Sequence, residues 1–99
     1  MTINEYQKEC VKTLPKFLTR GDETLLALLA LNRAAGECAD YYKEVLYMNR
    51  EMAPEEFGKK LAAVIRCVAI CADGMDLKLA DILKKDVEAV TDSGDEKGE

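Results

Sequence analysis

The sequence lacks several features on which most enzymes and many binding proteins depend. It contains no histidine, which removes the commonest general base at neutral pH. It has no CxxC pair, no Gly-rich phosphate loop and no serine or cysteine that a histidine could activate. Triad-type catalysis, zinc-ribbon sites and P-loop nucleotide binding are therefore not predicted. No stretch approaches the roughly 20 apolar residues of a membrane span, and we expect no membrane partner.

The charge balance and the N-terminus indicate where the protein acts. The net charge is −5 and the isoelectric point is about 4.8, whereas a nucleic-acid surface needs a basic stripe. We expect no nucleic-acid partner. The first residues carry no charged-then-apolar signal pattern, so we expect a cytoplasmic protein. In that compartment Cys10, Cys38, Cys67 and Cys71 stay reduced, and we interpret them as small core residues. The alternative is a soft metal at Cys67 and Cys71, which are one helical turn apart, although the chain offers few further ligands.

The length and composition predict one helical domain with a short tail. The chain has 99 residues, of which 48% are hydrophobic and 33% charged. A chain of this size buries roughly 60–70% of the surface that its unfolded form exposes, which supports one core. Apolar residues recur every three or four positions throughout residues 1–90, the helical period. Residues 91–99 are polar and charged, and we predict a flexible tail there.

Capping and breaking residues divide the domain into four predicted helices. Proline ends a helix or opens its first turn, small polar residues cap its start, and glycine provides a left-handed cap at its end. The first predicted helix is capped by Thr2 or Asn4 and ends near Leu14, before Pro15. The second runs from Asp22 as N-cap to about Met48. The third runs from Pro54 to Asp73-Gly74, with Gly74 as the left-handed cap, and the fourth is capped by Asp76 and reaches Val90.

The second helix begins with a segment that is apolar on all sides. Residues 25–31 read Leu-Leu-Ala-Leu-Leu-Ala-Leu, and such a segment must be covered from several directions. Further along, the residues predicted to face the core are Ala35, Cys38, Tyr42, Val45 and Leu46. On the third helix a second apolar row, which we also expect to be buried, consists of Ala62, Ile65, Ala69 and Ala72. Four helices of one chain offer too little cover, so we predict a homodimer through helices two and three, with a tetramer as the alternative.

Two segments of the chain together resemble a known family. Residues 30–40 read Ala-Leu-Asn-Arg-Ala-Ala-Gly-Glu-Cys-Ala-Asp, and residues 59–72 read Lys-Lys-Leu-Ala-Ala-Val-Ile-Arg-Cys-Val-Ala-Ile-Cys-Ala. They resemble the core helices of MazG-like all-α nucleoside triphosphate pyrophosphohydrolases, which carry Glu-Ala-Gly-Glu-Leu and Glu-Leu-Gly-Asp-Val-Leu. The resemblance implies an all-α, four-helix MazG-like bundle completed by homo-oligomerisation, as a dimer or a dimer of dimers.

The resemblance also implies where a metal site would lie. The four metal-binding carboxylates of the family fall on Ala34, Glu37, Lys60 and Ala63 of this sequence. In the family they hold Mg²⁺, which grips substrate phosphates and activates water. Only Glu37 is a carboxylate here, and Lys60 places a cation where the metal would bind. We therefore expect no catalytic residue and no cofactor. Mg²⁺, with Glu37 among its ligands, is expected only if the family activity is retained.

The basic residues near these positions allow two interpretations. Arg33, Lys60 and Arg66 lie on the two helices that resemble the site, and guanidinium groups bind phosphate well, so a metal-free phosphate site is one interpretation. Surface pairing with neighbouring acids is the other. Lys60 is also predicted to replace the metal as an ion-pair partner of Glu37. The alternative is that both side chains are partly exposed and pair weakly.

Three functional hypotheses follow from the sequence. The leading one is a degenerate MazG-like protein, a pseudoenzyme that has lost pyrophosphohydrolase activity and acts as a binding or assembly module for a nucleotide or a protein. The first alternative is an active nucleoside triphosphate pyrophosphohydrolase with a rebuilt metal site. The second alternative is a helical protein-interaction module whose likeness to the family is only architectural.

Overall fold

The computed structural model describes residues 1–97, and four α-helices account for most of them. No strand is present in this described range, so the prediction of an all-α fold is confirmed. α4 continues through residues 91–97 of the segment predicted as a tail, and residues 98–99 lie outside the described range. The helices are α1 (Ile3–Val11), α2 (Arg20–Tyr47), α3 (Pro54–Gly74) and α4 (Leu79–Lys97).

The helix starts follow local capping chemistry, with one correction. Thr2 caps α1 by accepting a hydrogen bond from the backbone N–H of Glu5, and Pro54 opens α3 as predicted. The N-cap of α2 is Thr19 rather than Asp22, because the hydroxyl of Thr19 accepts a 3.1 Å hydrogen bond from the N–H of Asp22. Asp22 lies in the first turn, where its negative charge favours the positive end of the helix.

Two helix ends differ from the prediction. α1 ends at Val11, short of Leu14, because the residue before a proline avoids the α conformation. Gly74 does not adopt a left-handed conformation at the end of α3. Asp76 does, with φ of 57°, and it therefore cannot be the N-cap of α4, which begins at Leu79. The N–H groups of Asp76 and Leu77 donate to the carbonyls of Asp73 and Ala72, which closes the helix end in a Schellman arrangement.

α2 and α3 form an antiparallel hairpin that is the centre of the fold. Near one end the helices approach closely, because a β-carbon on Gly74 would collide with the hydroxyl of Thr24. Near the other end the ring of Tyr41 stacks on Phe57 at a centroid distance of 5.6 Å. Gly74 therefore allows close packing, which explains its place in the sequence better than backbone freedom does.

α1 and the start of α4 pack against the C-terminal half of α3. The buried side chain of Gln7 holds the three helices together. Its amide nitrogen donates to the carbonyls of Ala69 and Leu77, and its oxygen accepts from the N–H of Leu79, all at 3.0 Å. A buried amide with every strong group paired fixes a unique arrangement. The small core around it consists of Cys10, Ala27, Ala69, Ile70 and Leu79.

Much of the apolar surface of this chain remains exposed. The radius of gyration is 16.3 Å, whereas a compact domain of about 100 residues has about 13 Å. Ala35, Tyr42 and Leu46, predicted to face the core, are exposed, as is Ile65. These predictions were wrong because α3 covers a different stripe of α2. All four cysteines are free thiols, and Cys10 alone among them is fully buried.

Candidate functional site

The four positions that the resemblance assigns to a metal site lie along the α2–α3 hairpin without forming a ligand set. Ala34 and Ala63 are half-buried and offer no ligand atoms. The carboxylate of Glu37 is 55% exposed and lies 3.9 Å from Arg33 on the same helix. Among the side chains that the structure describes, no three from Cys, Asp or Glu converge as a metal site would require. The arrangement therefore provides one solvated carboxylate at these positions.

The predicted ion pair between Glu37 and Lys60 is not formed in the described structure. The ammonium of Lys60 lies over the ring of Tyr41, 5.7 Å from its centroid, and Glu37 turns to Arg33. Lys60 is half-buried, and its charge is attracted to the face of the ring. The aromatic ring thus takes the place next to Lys60 that the sequence interpretation gave to a carboxylate.

Tyr41 is the centre of a cluster that sequence reasoning missed. Its side chain is 1% exposed, and its hydroxyl accepts a 2.9 Å hydrogen bond from the N–H of Ala53. The guanidinium of Arg50 lies 4.2 Å from the ring centroid and bonds Glu44 and Glu56 at 2.8 and 2.9 Å. The cluster fastens the α2–α3 connection to both helices. The sequence offered one indication of this cluster, because Arg50 in the connection lies six residues from Glu44 on one side and six from Glu56 on the other.

The three cations proposed for phosphate binding have different neighbours. Arg33 is 79% exposed and pairs with Glu37, and Lys60 lies over Tyr41. Arg66 lies near Tyr6 of α1. Burial raises the pKa of Tyr6, and the charge of Arg66 lowers it by a smaller amount. Lys60 and Arg66 are also separated by about 9 Å along α3, at 1.5 Å per residue. The structure does not bring these residues to one point.

A second charged cluster joins the start of α2 to the turn after α3. Arg20 bonds Asp73 at 2.8 Å, contacts Glu23 at 3.4 Å and also pairs with Asp76. The hydrogen bonds to Asp76 and Asp73 raise the pKa of Arg20, with Asp76 the larger cause. Glu23 is buried, and this burial, followed by its hydrogen bond and charge interaction with Asp73, raises its pKa. One oxygen of Glu23, Oε2, is buried without a hydrogen-bond partner among the described residues, so the cluster joins α2 to the turn after α3 with one polar atom left unpaired.

The most extensive feature on the hairpin is an apolar face. Its members belong to α2 and α3, and each leaves between 36% and 56% of its surface in water. Single exposed leucines are ordinary, but a contiguous set on a rigid hairpin marks a place of contact. The apolar face consists of Leu25, Leu28, Leu29, Tyr42, Leu46, Leu61, Ile65 and Val68.

Comparison with known proteins leaves the geometry as the main guide to function. No family model, curated protein or solved structure matches the chain. Among the described residues, every helix is too short or too polar to cross a bilayer. The interpretation of the chain therefore rests on the site positions and the apolar face described above.

Proposed function

We propose that this chain is a non-catalytic assembly module with a degenerate MazG-like fold, which self-associates through the apolar face of α2 and α3. The observation that carries the proposal is the apolar face itself. It lies on the same two helices whose sequences resemble the family, and its residues leave 36–56% of their surface uncovered in the described chain.

The chemistry of the family positions supports loss of pyrophosphohydrolase activity. Mg²⁺ needs several hard oxygen ligands with near-octahedral geometry. Glu37 supplies the carboxylate of one position, and the other three are Ala34, Lys60 and Ala63. One carboxylate that is 55% exposed cannot displace enough water to hold a catalytic metal. Without histidine, the chain also lacks the usual base for activating water.

The size of the apolar face supports a second copy as its cover. The eight residues of the apolar face together leave on the order of 700 Å² of accessible surface in water at their observed exposure. This area is close to the roughly 800 Å² that each partner buries in a standard interface. Soluble monomers rarely expose contiguous apolar patches larger than a few hundred Å². The natural assembly is a two-fold homodimer, since closed two-fold pairs dominate homo-oligomers. A tetramer requires a further surface beyond this face.

Two measurements on the wild-type protein test the proposal. Pyrophosphate release from a panel of nucleoside triphosphates, with Mg²⁺ or Mn²⁺, should equal the rate without protein. Light scattering at micromolar concentration should give twice the 11.0 kDa chain mass. Turnover that disappears in Glu37→Gln would overturn the loss of activity and favour a rebuilt metal site. A monomer mass would overturn self-association.

Two exposed leucines on α2 provide a matched pair of variants. Leu28, which is 46% exposed, belongs to the apolar face, whereas Leu26, which is 49% exposed, lies on the other side of the helix. Leu28→Asp should dissociate the dimer or cause aggregation, because it places a charge in an apolar interface. Leu26→Asp should leave the dimer mass unchanged. Equal effects of the two substitutions would show that the apolar face is not the interface.

A further inference from the structure

The exposed rows of α2 and α3 lie on the same side of the hairpin. On each helix the exposed row is rotated by roughly 100–110° from the row that faces the other helix, in the same sense along the chain, at about 3.6 residues per turn. The facing row contains Thr24 and Tyr41 on α2, and Gly74 and Phe57 on α3. Because the two helices are antiparallel, equal rotations in the same sense point both rows to one side. The rings of Tyr42 and Phe57, which are 6.5 Å apart, meet across the hairpin on this side.

The α2 row is large at both ends and small in the middle. Leucines occupy positions 25, 28 and 29, and Tyr42 and Leu46 occupy the other end. A β-carbon built on Gly36 would meet nothing within 4 Å, so the middle of the row is open. We call this middle section the notch, and its members are Asn32, Ala35, Gly36 and Ala39.

The α3 row is large at the same height along the hairpin. Thr24 is level with Gly74, and Tyr41 is level with Phe57. Counting inwards from these two pairs places the notch level with residues 59–66 of α3, which include Leu61 and Ile65, and Val68 lies just beyond that range. We call these three side chains the ridge, and its members are Leu61, Ile65 and Val68, which are 36–53% exposed.

We propose that the ridge of each copy fills the notch of the other, so that the two-fold axis of the dimer runs parallel to α2 and α3. This inference rests on the self-association proposed above and specifies its arrangement. A two-fold axis parallel to the helices places α2 of one copy against α3 of its partner at the same height. The ridge then meets the notch twice, once on each side of the axis.

The competing arrangement has its axis perpendicular to the helices. It places α2 against α2 and α3 against α3, so that ridge meets ridge while notch meets notch. The ridges would hold the two hairpins apart and leave a void between the notches. Voids forfeit dispersion contacts, and interfaces pack as densely as protein interiors. Complementarity of shape therefore selects the parallel axis.

Disulfide trapping distinguishes the two arrangements. In a background with all four native cysteines replaced by alanine, confirmed as dimeric by light scattering, Ala35→Cys and Leu61→Cys are prepared separately and mixed. The parallel axis places position 35 of one copy beside position 61 of the other, within disulfide reach, and holds the two copies of position 35 diagonally apart. Mild oxidation should therefore trap the mixed dimer and should not trap Ala35→Cys with itself.

Filling the notch provides a second test that does not depend on cysteine chemistry. Gly36→Leu should raise the dissociation constant of the dimer at least tenfold, because the new side chain occupies the space of the ridge. Sedimentation equilibrium measures this change. Circular dichroism should show a folded helical protein, since the position is open in the single chain. Gly58, which is equally open on α3 but lies outside the notch, supplies the control variant Gly58→Ala, which should dimerise normally.

The outcomes separate this inference from the proposed function. A dimer that traps Ala35→Cys with itself, or that tolerates Gly36→Leu, overturns the parallel axis and leaves self-association intact. A dimer that traps neither combination overturns the placement of the interface. A monomer mass for the wild-type chain overturns self-association itself. Trapping of the mixed pair alone, with loss of dimer in Gly36→Leu, supports the ridge and notch arrangement.

Discussion

Replacing Gly74 with alanine should destabilise the fold, although alanine is the better helix former. The new β-carbon would collide with the hydroxyl of Thr24 and lie 3.1 Å from its backbone nitrogen and 3.2 Å from the carbonyl oxygen of Arg20. Overpacking costs about 1–3 kcal/mol. Because two of the crowded atoms belong to the backbone, we expect the upper part of this range, about 2–3 kcal/mol, against a gain of about 1 kcal/mol in helix propensity. We expect a net loss of about 1–2 kcal/mol. For a domain of this size that corresponds to a melting temperature lower by roughly 4–16 °C.

Thermal unfolding followed by circular dichroism at one fixed protein concentration measures this loss. Gly58→Ala is the matched control on the same helix, because nothing lies within 4 Å of its β-carbon, and it should raise the melting temperature. Thr24→Ala removes the colliding hydroxyl, which is buried without a hydrogen-bond partner, so the double variant should recover part of the loss. An unchanged or higher melting temperature for Gly74→Ala would refute the close approach of α2 and α3 at this point.

Two further predictions concern buried polar groups. Gln7→Ala should lower the free energy of unfolding, measured by denaturant titration, by about 2–4 kcal/mol, because it leaves the buried N–H of Leu79 without its acceptor. A loss below about 1 kcal/mol would contradict the bridging role of Gln7. Glu23 has a raised pKa in the folded state, so folding binds protons in the range between its unfolded and folded pKa values, and stability should fall as the pH rises through that range. Glu23→Gln should remove this decline, so that the free energy of unfolding of the variant, relative to that of the wild type, rises from pH 4 to pH 7. Parallel pH profiles for the two proteins would contradict the raised pKa of Glu23.

Local chemistry made most of the helix boundaries predictable from the sequence. Thr2 and Pro54 act through atoms within a few residues, and both open a helix as predicted. Thr19 and Asp22 are both good capping residues, three positions apart, and local preference alone does not choose between them. Starting α2 at Arg20 places its guanidinium beside Asp73, a contact more than fifty residues away that sequence periodicity does not contain.

The candidate site was less predictable because it depends on which faces of the helices meet. Helical periodicity shows that α2 has two apolar stripes, but it does not show which of them α3 covers, and Ala35 was therefore placed on the wrong one. The partner of Lys60 was missed for a related reason. Its choice between Glu37 and Tyr41 depends on the rotation of α2 against α3, which packing along the whole hairpin determines.

The hydrogen bonds of Gln7 also have a consequence for the order of folding. They join positions 62, 70 and 72 residues apart in the chain, whereas α2 and α3 are neighbours joined by a short connection. Contacts across long sequence separations form late, because the loop entropy must be lost before the contact is gained. We expect the hairpin to form first and the two terminal helices to dock last, as one cooperative unit. In native-state hydrogen exchange, the amides of α1 and of the start of α4 should then open together, at a lower free energy than those in the middle of α2 and α3.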